Sequence, residues 1–124
     1  MSPLLYVMVG GAVGSGARYL TGRAMTALLG SGYPFGTLAV NLAGGLLMGV
    51  LVGVLARNAA PESWRLLLGV GVLGGFTTFS SFSLDVVTMI ERGALGLALG
   101  YILVSVIGSI AALFAGLSAV RAVA

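Results

Sequence analysis

Apolar residues in this chain do not alternate with polar ones. They run in four long blocks separated by short polar breaks: Leu4 to about Leu29, Phe35 to about Ala56, Trp64 to about Ile90, and Leu95 to about Val120. A helix needs roughly 20 apolar residues to cross about 30 Å of hydrocarbon, so each block predicts a transmembrane helix. Four such spans with short loops use up the 124 residues and leave no room for a second domain. The breaks carry turn chemistry. Gly30-Ser31-Gly32-Tyr33-Pro34 reads as a turn, and Pro61 with Glu62 suits the first turn of the helix that follows. Glu91-Arg92-Gly93 divides the last two blocks, while Arg18 and Arg23 interrupt the first toward its end. Met1 to Val13 lacks a positive n-region and a convincing cleavage site, so it reads as the start of an uncleaved span.

Composition supports the same class. Hydrophobic residues make up 59% of the chain and charged ones 7%, with a mean hydropathy of +1.15. A soluble domain carries about a quarter charged residues, so this chain has too little polar surface to coat a globule in water. The expectation is an all-α integral membrane protein. With neither Cys nor His, disulfides, thiol catalysis, zinc-thiolate sites and the commonest metal ligand are excluded. Glu62, Asp85 and Glu91 are the only carboxylates, and no nucleophile-base-acid set or phosphate-binding glycine loop accompanies them, which argues against an enzyme. The net charge of +3 does not indicate nucleic acid, because the six arginines are scattered singly. Lipid headgroups or an anion are the expected partners.

The same arginines bear on orientation. Four spans put both termini and the second loop on one side with Arg57, Arg65 and Arg121, against Arg23 and Arg92, with Arg18 just inside. That balance gives the positive-inside rule almost nothing to act on. Insertion in both orientations is therefore predicted, which permits an antiparallel homodimer. Glycines at helical spacing, Gly10 and Gly14, then Gly45, Gly49 and Gly53, then Gly96 and Gly100, predict close approach of helix backbones.

The chemistry concentrates in Gly74-Gly75-Phe76-Thr77-Thr78-Phe79-Ser80-Ser81-Phe82-Ser83, midway along the third block. A single Ser in a span bonds back to the preceding turn. Two adjacent glycines with five hydroxyls predict instead a break in the third helix, whose freed carbonyls can coordinate a cation. Phe79 and Phe82 lie three apart, a spacing that usually means packing. In a functional reading, their ring edges, positive in the quadrupole, favour a small anion without trapping it, while the hydroxyls of Thr77, Ser80 and Ser83 replace its water. Thr37 and Asn41 stand one turn apart on the second span, and the Asn41 amide is equally suited to a helix-helix hydrogen bond and to pore lining. Tyr101, Ser105 and Ser109 form a polar stripe at i, i+4, i+8 on the fourth span. Arg18 either draws anions into a vestibule or snorkels to a headgroup. Asp85 is either its partner or an independent helix-end residue.

Three of these segments, Gly14-Ser15-Gly16-Ala17-Arg18-Tyr19, Gly36-Thr37-Leu38-Ala39-Val40-Asn41 and Gly74 through Phe82, resemble the small bacterial fluoride channels of the Fluc or CrcB type, over the whole chain. Ser81 stands where a threonine is usual between the two phenylalanines, a mild departure that keeps the hydroxyl. The resemblance implies a dual-topology antiparallel homodimer in the cell (inner) membrane with two fluoride pathways, giving fluoride resistance by passive export of fluoride that entered as HF. It implies that Phe79 and Phe82 meet the ion, that Asn41, Ser80, Thr37, Tyr101, Ser105 and Ser109 belong to a polar track, and that Arg18 matches a first-helix arginine. It further implies a structural Na+ at the dimer centre, held by the backbone carbonyls of Gly74 and Thr77. Two other classes compete. A small four-span antiporter needs a membrane-buried carboxylate in its first span, and Leu4 to Leu29 has none. A noncatalytic membrane assembly subunit would use the hydroxyl-rich third span only for packing.

Overall fold

The protein is described by a computed structural model that covers residues 1–123. Its elements are α1 (Pro3–Leu29), α2 (Phe35–Asn58), the short α3 (Glu62–Trp64), a π-helical segment (Arg65–Leu73), α4 (Gly74–Phe76), α5 (Phe79–Glu91) and α6 (Leu95–Ala122). The run from Glu62 to Glu91 forms one interrupted rod, so the chain makes four long helical passes, with no strand among the described residues. Local chemistry sets the ends. Ser2 caps α1, its Oγ accepting the Leu5 amide at 3.3 Å, and Pro3 opens the helix where its missing N–H costs nothing. Gly30 then stops α1 at φ 82°, a left-handed angle that favours glycine.

Three of the four passes, Phe35–Asn58, Glu62–Glu91 and Leu95–Ala122, are long and apolar enough to cross a membrane. The count of four drawn from the hydrophobic blocks is therefore met in number of passes but not in apolarity. With its 27 residues α1 reaches about 40 Å at 1.5 Å per residue, but Arg18, Arg23 and its glycine and hydroxyl residues dilute it. The surface agrees with lipid as the solvent: Leu4, Leu20, Leu28, Leu99, Ile107 and Phe114 all point outward.

Packing runs in two pairs. α2 lies along α6, and α1 lies against the π segment and α4. Both contacts are backbone to backbone. A Cβ on Gly45 would sit 2.7 Å from the Ser109 carbonyl oxygen, and one on Gly49 would sit 2.9 Å from the Leu117 nitrogen. Gly10 and Gly14 meet the π segment in the same way. The expectation for the fourth span is corrected: Gly96 and Gly100 have nothing within 4 Å, and the α6 glycines that meet α2 are Gly108 and Gly116.

The π winding is not predicted by hydropathy, which is blind to the number of residues per turn. It is recorded in the Gly74 amide, which reaches the Gly69 carbonyl five residues back. Gly69 and Gly71 lack the side chains that would resist a widened turn, and Gly71 lies so close to α1 that an added Cβ would meet the Gly10 Cα at 2.9 Å. The rod then breaks at Thr77 and Thr78, both extended (ψ 156° and 118°), before α5 resumes at Phe79.

Candidate functional site

Breaking a helix inside hydrocarbon frees amides and carbonyls that must find partners. Two side chains from other helices supply them here. Asn41 on α2 accepts the Thr78 amide on Oδ1 at 2.8 Å and donates from Nδ2 to the Thr78 carbonyl at 3.1 Å. Arg18 on α1 donates from Nε to the Gly75 carbonyl at 3.0 Å. Thr78 also caps α5, its Oγ1 accepting the Ser81 amide at 3.1 Å. The amides of Thr78 and Ser81 are thereby turned away from the carbonyls four residues before them, which belong to Gly74 and Thr77. Those two oxygens thus lose the amides that an unbroken helix would give them. The Thr77 hydroxyl itself bonds back to the Leu73 carbonyl at 2.9 Å, and the Ser83 hydroxyl to the Phe79 carbonyl at 2.9 Å.

Beside the break, aromatic rings form a column. Tyr33 in the first loop meets Tyr101 on α6 edge to face, with ring centroids 5.5 Å apart. Tyr101 meets Phe82 at 5.3 Å, and Phe82 meets Phe79 at 5.5 Å. Tyr101 is wholly buried, and its hydroxyl donates to Asp85 at 2.9 Å. Burial pushes the Tyr33 phenol above its ordinary range, so it stays a neutral donor through physiological pH.

Two spaces flank this column. A cavity of about 770 Å³ is lined by Arg18, Arg23, Tyr33, Thr37, Asp85 and Arg92 among others. A groove of about 440 Å³ is lined by Asn41, Thr77, Phe79, Phe82, Ser105 and Ser109, with α2 glycines in its floor. Thr78 borders both. Ser105 is 6% exposed, and its Oγ has no hydrogen-bond partner, an unusual state for a buried hydroxyl. Phe79 is 76% exposed, so the groove is open on one side.

The candidate residues thus divide. Asn41, Phe79, Phe82, Ser105 and Ser109 share the groove, Arg18 and Thr37 share the cavity, and Tyr101 stands between with its ring against Phe82. Ser80 borders neither space and lies exposed, its hydroxyl 3.3 Å from that of Thr78. Of the two uses weighed for Asn41, the interhelical bond is made, and Asn41 also borders the groove. Arg18 donates from Nε to the Gly75 carbonyl while lining the cavity, and the partner of Asp85 is Tyr101, not Arg18. Sequence reasoning missed Tyr33 and the Asp85–Tyr101 pair. A carboxylate and a phenol one helix apart leave no periodic signal.

Comparison with known proteins shows the family. A family model described as CrcB-like protein, Camphor Resistance (CrcB), matches residues 5–117. A protein of Caulobacter vibrioides named Fluoride-specific ion channel FluC is 55% identical over 125 residues, covering 99% of this chain and 98% of its own length. Proteins of the same name from Phenylobacterium zucineum and Novosphingobium aromaticivorans are 57% and 50% identical, over 99% and 100% of this chain and 98% and 100% of their own lengths.

Proposed function

Since the chain belongs to the CrcB-like protein family, we propose that it is a fluoride-specific ion channel, a multi-pass protein of the cell membrane that gives fluoride resistance by letting fluoride out. The name of the relatives supplies the ion. On this chain, the observation that carries the reading is the column of rings together with an unpaired, buried hydroxyl, Ser105 Oγ, in the groove that Phe79 and Phe82 line. Fluoride holds its water tightly, so a path must offer donors as water is shed, yet no fixed cation that would hold the ion. Hydroxyls of Ser105 and Ser109 are such donors, and the positive edges of Phe79 and Phe82 add attraction without a formal charge. The ion enters through the arginine-lined cavity, passes Tyr101 and Phe82, and continues along the groove that Asn41 borders. Conduction of this kind makes and breaks no covalent bond, so no residue is assigned a catalytic role.

The finer reading adds a second copy. A groove carrying Ser105, Ser109 and the Asn41 amide is costly if it faces lipid, and the 76% exposure of Phe79 leaves a ring for a partner to cover. The near balance of arginines between the two ends suits a partner inserted the other way up. Na+ fits the donor set: from each chain the carbonyls of Gly74 and Thr77, hard and neutral, would hold it. Bound there, it would supply a positive charge that settles carbonyl dipoles the break leaves unpaired. Arg18 and Asn41 hold the neighbouring carbonyls of Gly75 and Thr78 and so set which oxygens stay free.

Growth of bacteria lacking their own fluoride exporter tests the reading. Expression of this chain restores growth on fluoride, while Phe82→Ile, expressed at an equal level, does not. Failure of the unchanged chain to restore growth while present in the membrane contradicts the assignment.

A further inference from the structure

The cavity of about 770 Å³ is far larger than a single bare fluoride needs, and its lining is of another kind from that of the groove. Three guanidinium groups border it: Arg18 and Arg23 from α1, and Arg92 from the turn between α5 and α6. Among the described residues, the one ion pair joins Arg65 and Glu62, at the other end of the bundle. Arg23 and Arg92 therefore keep their charge for whatever enters. Asp85 is the one carboxylate on the cavity wall, and its Oδ2 accepts from Tyr101. The formal balance is three cations against one anion. Thr26 and Ser31 border the same space, as does Thr88, whose hydroxyl already donates to the Leu84 carbonyl. Gly36 and Thr37, in the first turn of the 24-residue α2, add amides that have no carbonyl one turn back within the helix.

Guanidinium forks match the oxygens of a phosphate group better than a monatomic halide, because two parallel N–H bonds reach two oxygens. Beyond the cavity, on the proposed fluoride path, stand the buried rings of Tyr101 and Phe82. We propose that this cavity is a binding site for a phosphate group, held by Arg23 and Arg92 with Arg18 alongside, and that its occupant obstructs the fluoride path without crossing it. The obstruction rests on the channel reading; the site itself does not. Two sources present this chemistry, free inorganic phosphate and the headgroup of an anionic phospholipid.

Binding is measured first without transport, by titrating inorganic phosphate into the detergent-purified protein at constant ionic strength and following its ³¹P resonance. Saturable broadening or shift is expected, weakened roughly tenfold or more in Arg23→Gln/Arg92→Gln, the scale of losing a charge-assisted bond. Absence of saturation, or equal binding by the double variant, overturns the proposal. Fluoride efflux from liposomes is then read with and without external phosphate. In phosphatidylcholine vesicles, phosphate slows efflux beyond what gluconate does at the same ionic strength, whereas efflux by the double variant, taken relative to its own rate without phosphate, is spared. Equal effects of phosphate and gluconate overturn the obstruction. Slow efflux in phosphatidylglycerol vesicles that phosphate does not slow further, relieved in the double variant, assigns the site to the headgroup. Phosphate binding without any fluoride efflux retains the site and contradicts the channel reading; efflux without phosphate binding does the reverse.

Discussion

Asn41 pairs with Thr78 through both ends of its amide, accepting the Thr78 N–H at 2.8 Å and donating to the Thr78 carbonyl at 3.1 Å. The side chain thus stands in for the peptide partners that the break removes. Asn41→Ala strands a donor and an acceptor in the membrane interior and is expected to lower unfolding stability by about 2–3 kcal/mol. Asn41→Asp keeps the acceptor for the Thr78 amide but sets a carboxylate oxygen against the Thr78 carbonyl and a negative charge beside the groove, so it also destabilises the fold and abolishes fluoride flux. Unfolding in detergent measured with flux in liposomes separates the two. Unchanged conduction in Asn41→Asp removes Asn41 from the path.

Phe82 is buried between Tyr101 and Phe79. Phe82→Ile retains much of the bulk, so the chain still assembles, at a cost of about 1–2 kcal/mol for the lost ring contacts. Flux is expected to fall to the protein-free background. A variant that elutes as wild type in size-exclusion chromatography and still conducts contradicts the ring-edge account.

Tyr101→Phe preserves the packing of a wholly buried ring and removes only the hydroxyl that Asp85 accepts. Loss of a hydrogen bond to a carboxylate predicts about 1.5–3 kcal/mol of destabilisation. The bared carboxylate on the cavity wall repels fluoride and slows efflux. Asp85→Asn added to Tyr101→Phe restores part of both, which a double-mutant cycle reads as coupling. Additive effects count against the pair acting as a unit.

Gly49→Ala forces a methyl group into the backbone of α6 beside the Leu117 nitrogen, so α2 and α6 must part. A loss of about 1–3 kcal/mol is expected, as for other overpacked interiors. Gly96→Ala has open space around it and stays within about 0.5 kcal/mol. Parallel unfolding curves of the two variants make the comparison.

Much of this was legible in the residues. Block lengths gave four helical passes, and two glycines with five hydroxyls gave the break near Thr77. Hydropathy and local composition carry those features because each is decided within a few residues of chain. The π winding of Arg65–Leu73 was not legible, since it depends on how closely Gly10 can approach Gly71. Small-residue spacing pointed rightly to Gly45, Gly49 and Gly53, but on α6 it chose Gly96 and Gly100 over Gly108 and Gly116, because spacing does not say which face meets a neighbour. Asn41 was visible as a polar side chain in need of a partner, whereas Thr78 as that partner required the relative height of two helices. Tyr33 went unseen because a loop residue acquires its place on the column only once Tyr101 is folded beside it.

The central claim is electrogenic passage of fluoride through this chain. Its most direct test loads liposomes bearing the purified protein with potassium fluoride and follows external fluoride with an electrode after a potassium ionophore is added. The account predicts rapid release that requires the ionophore, needs no proton gradient, and is absent when chloride replaces fluoride as the loaded anion. Release that demands a counter-flow of protons, or no release from well-folded protein, contradicts it.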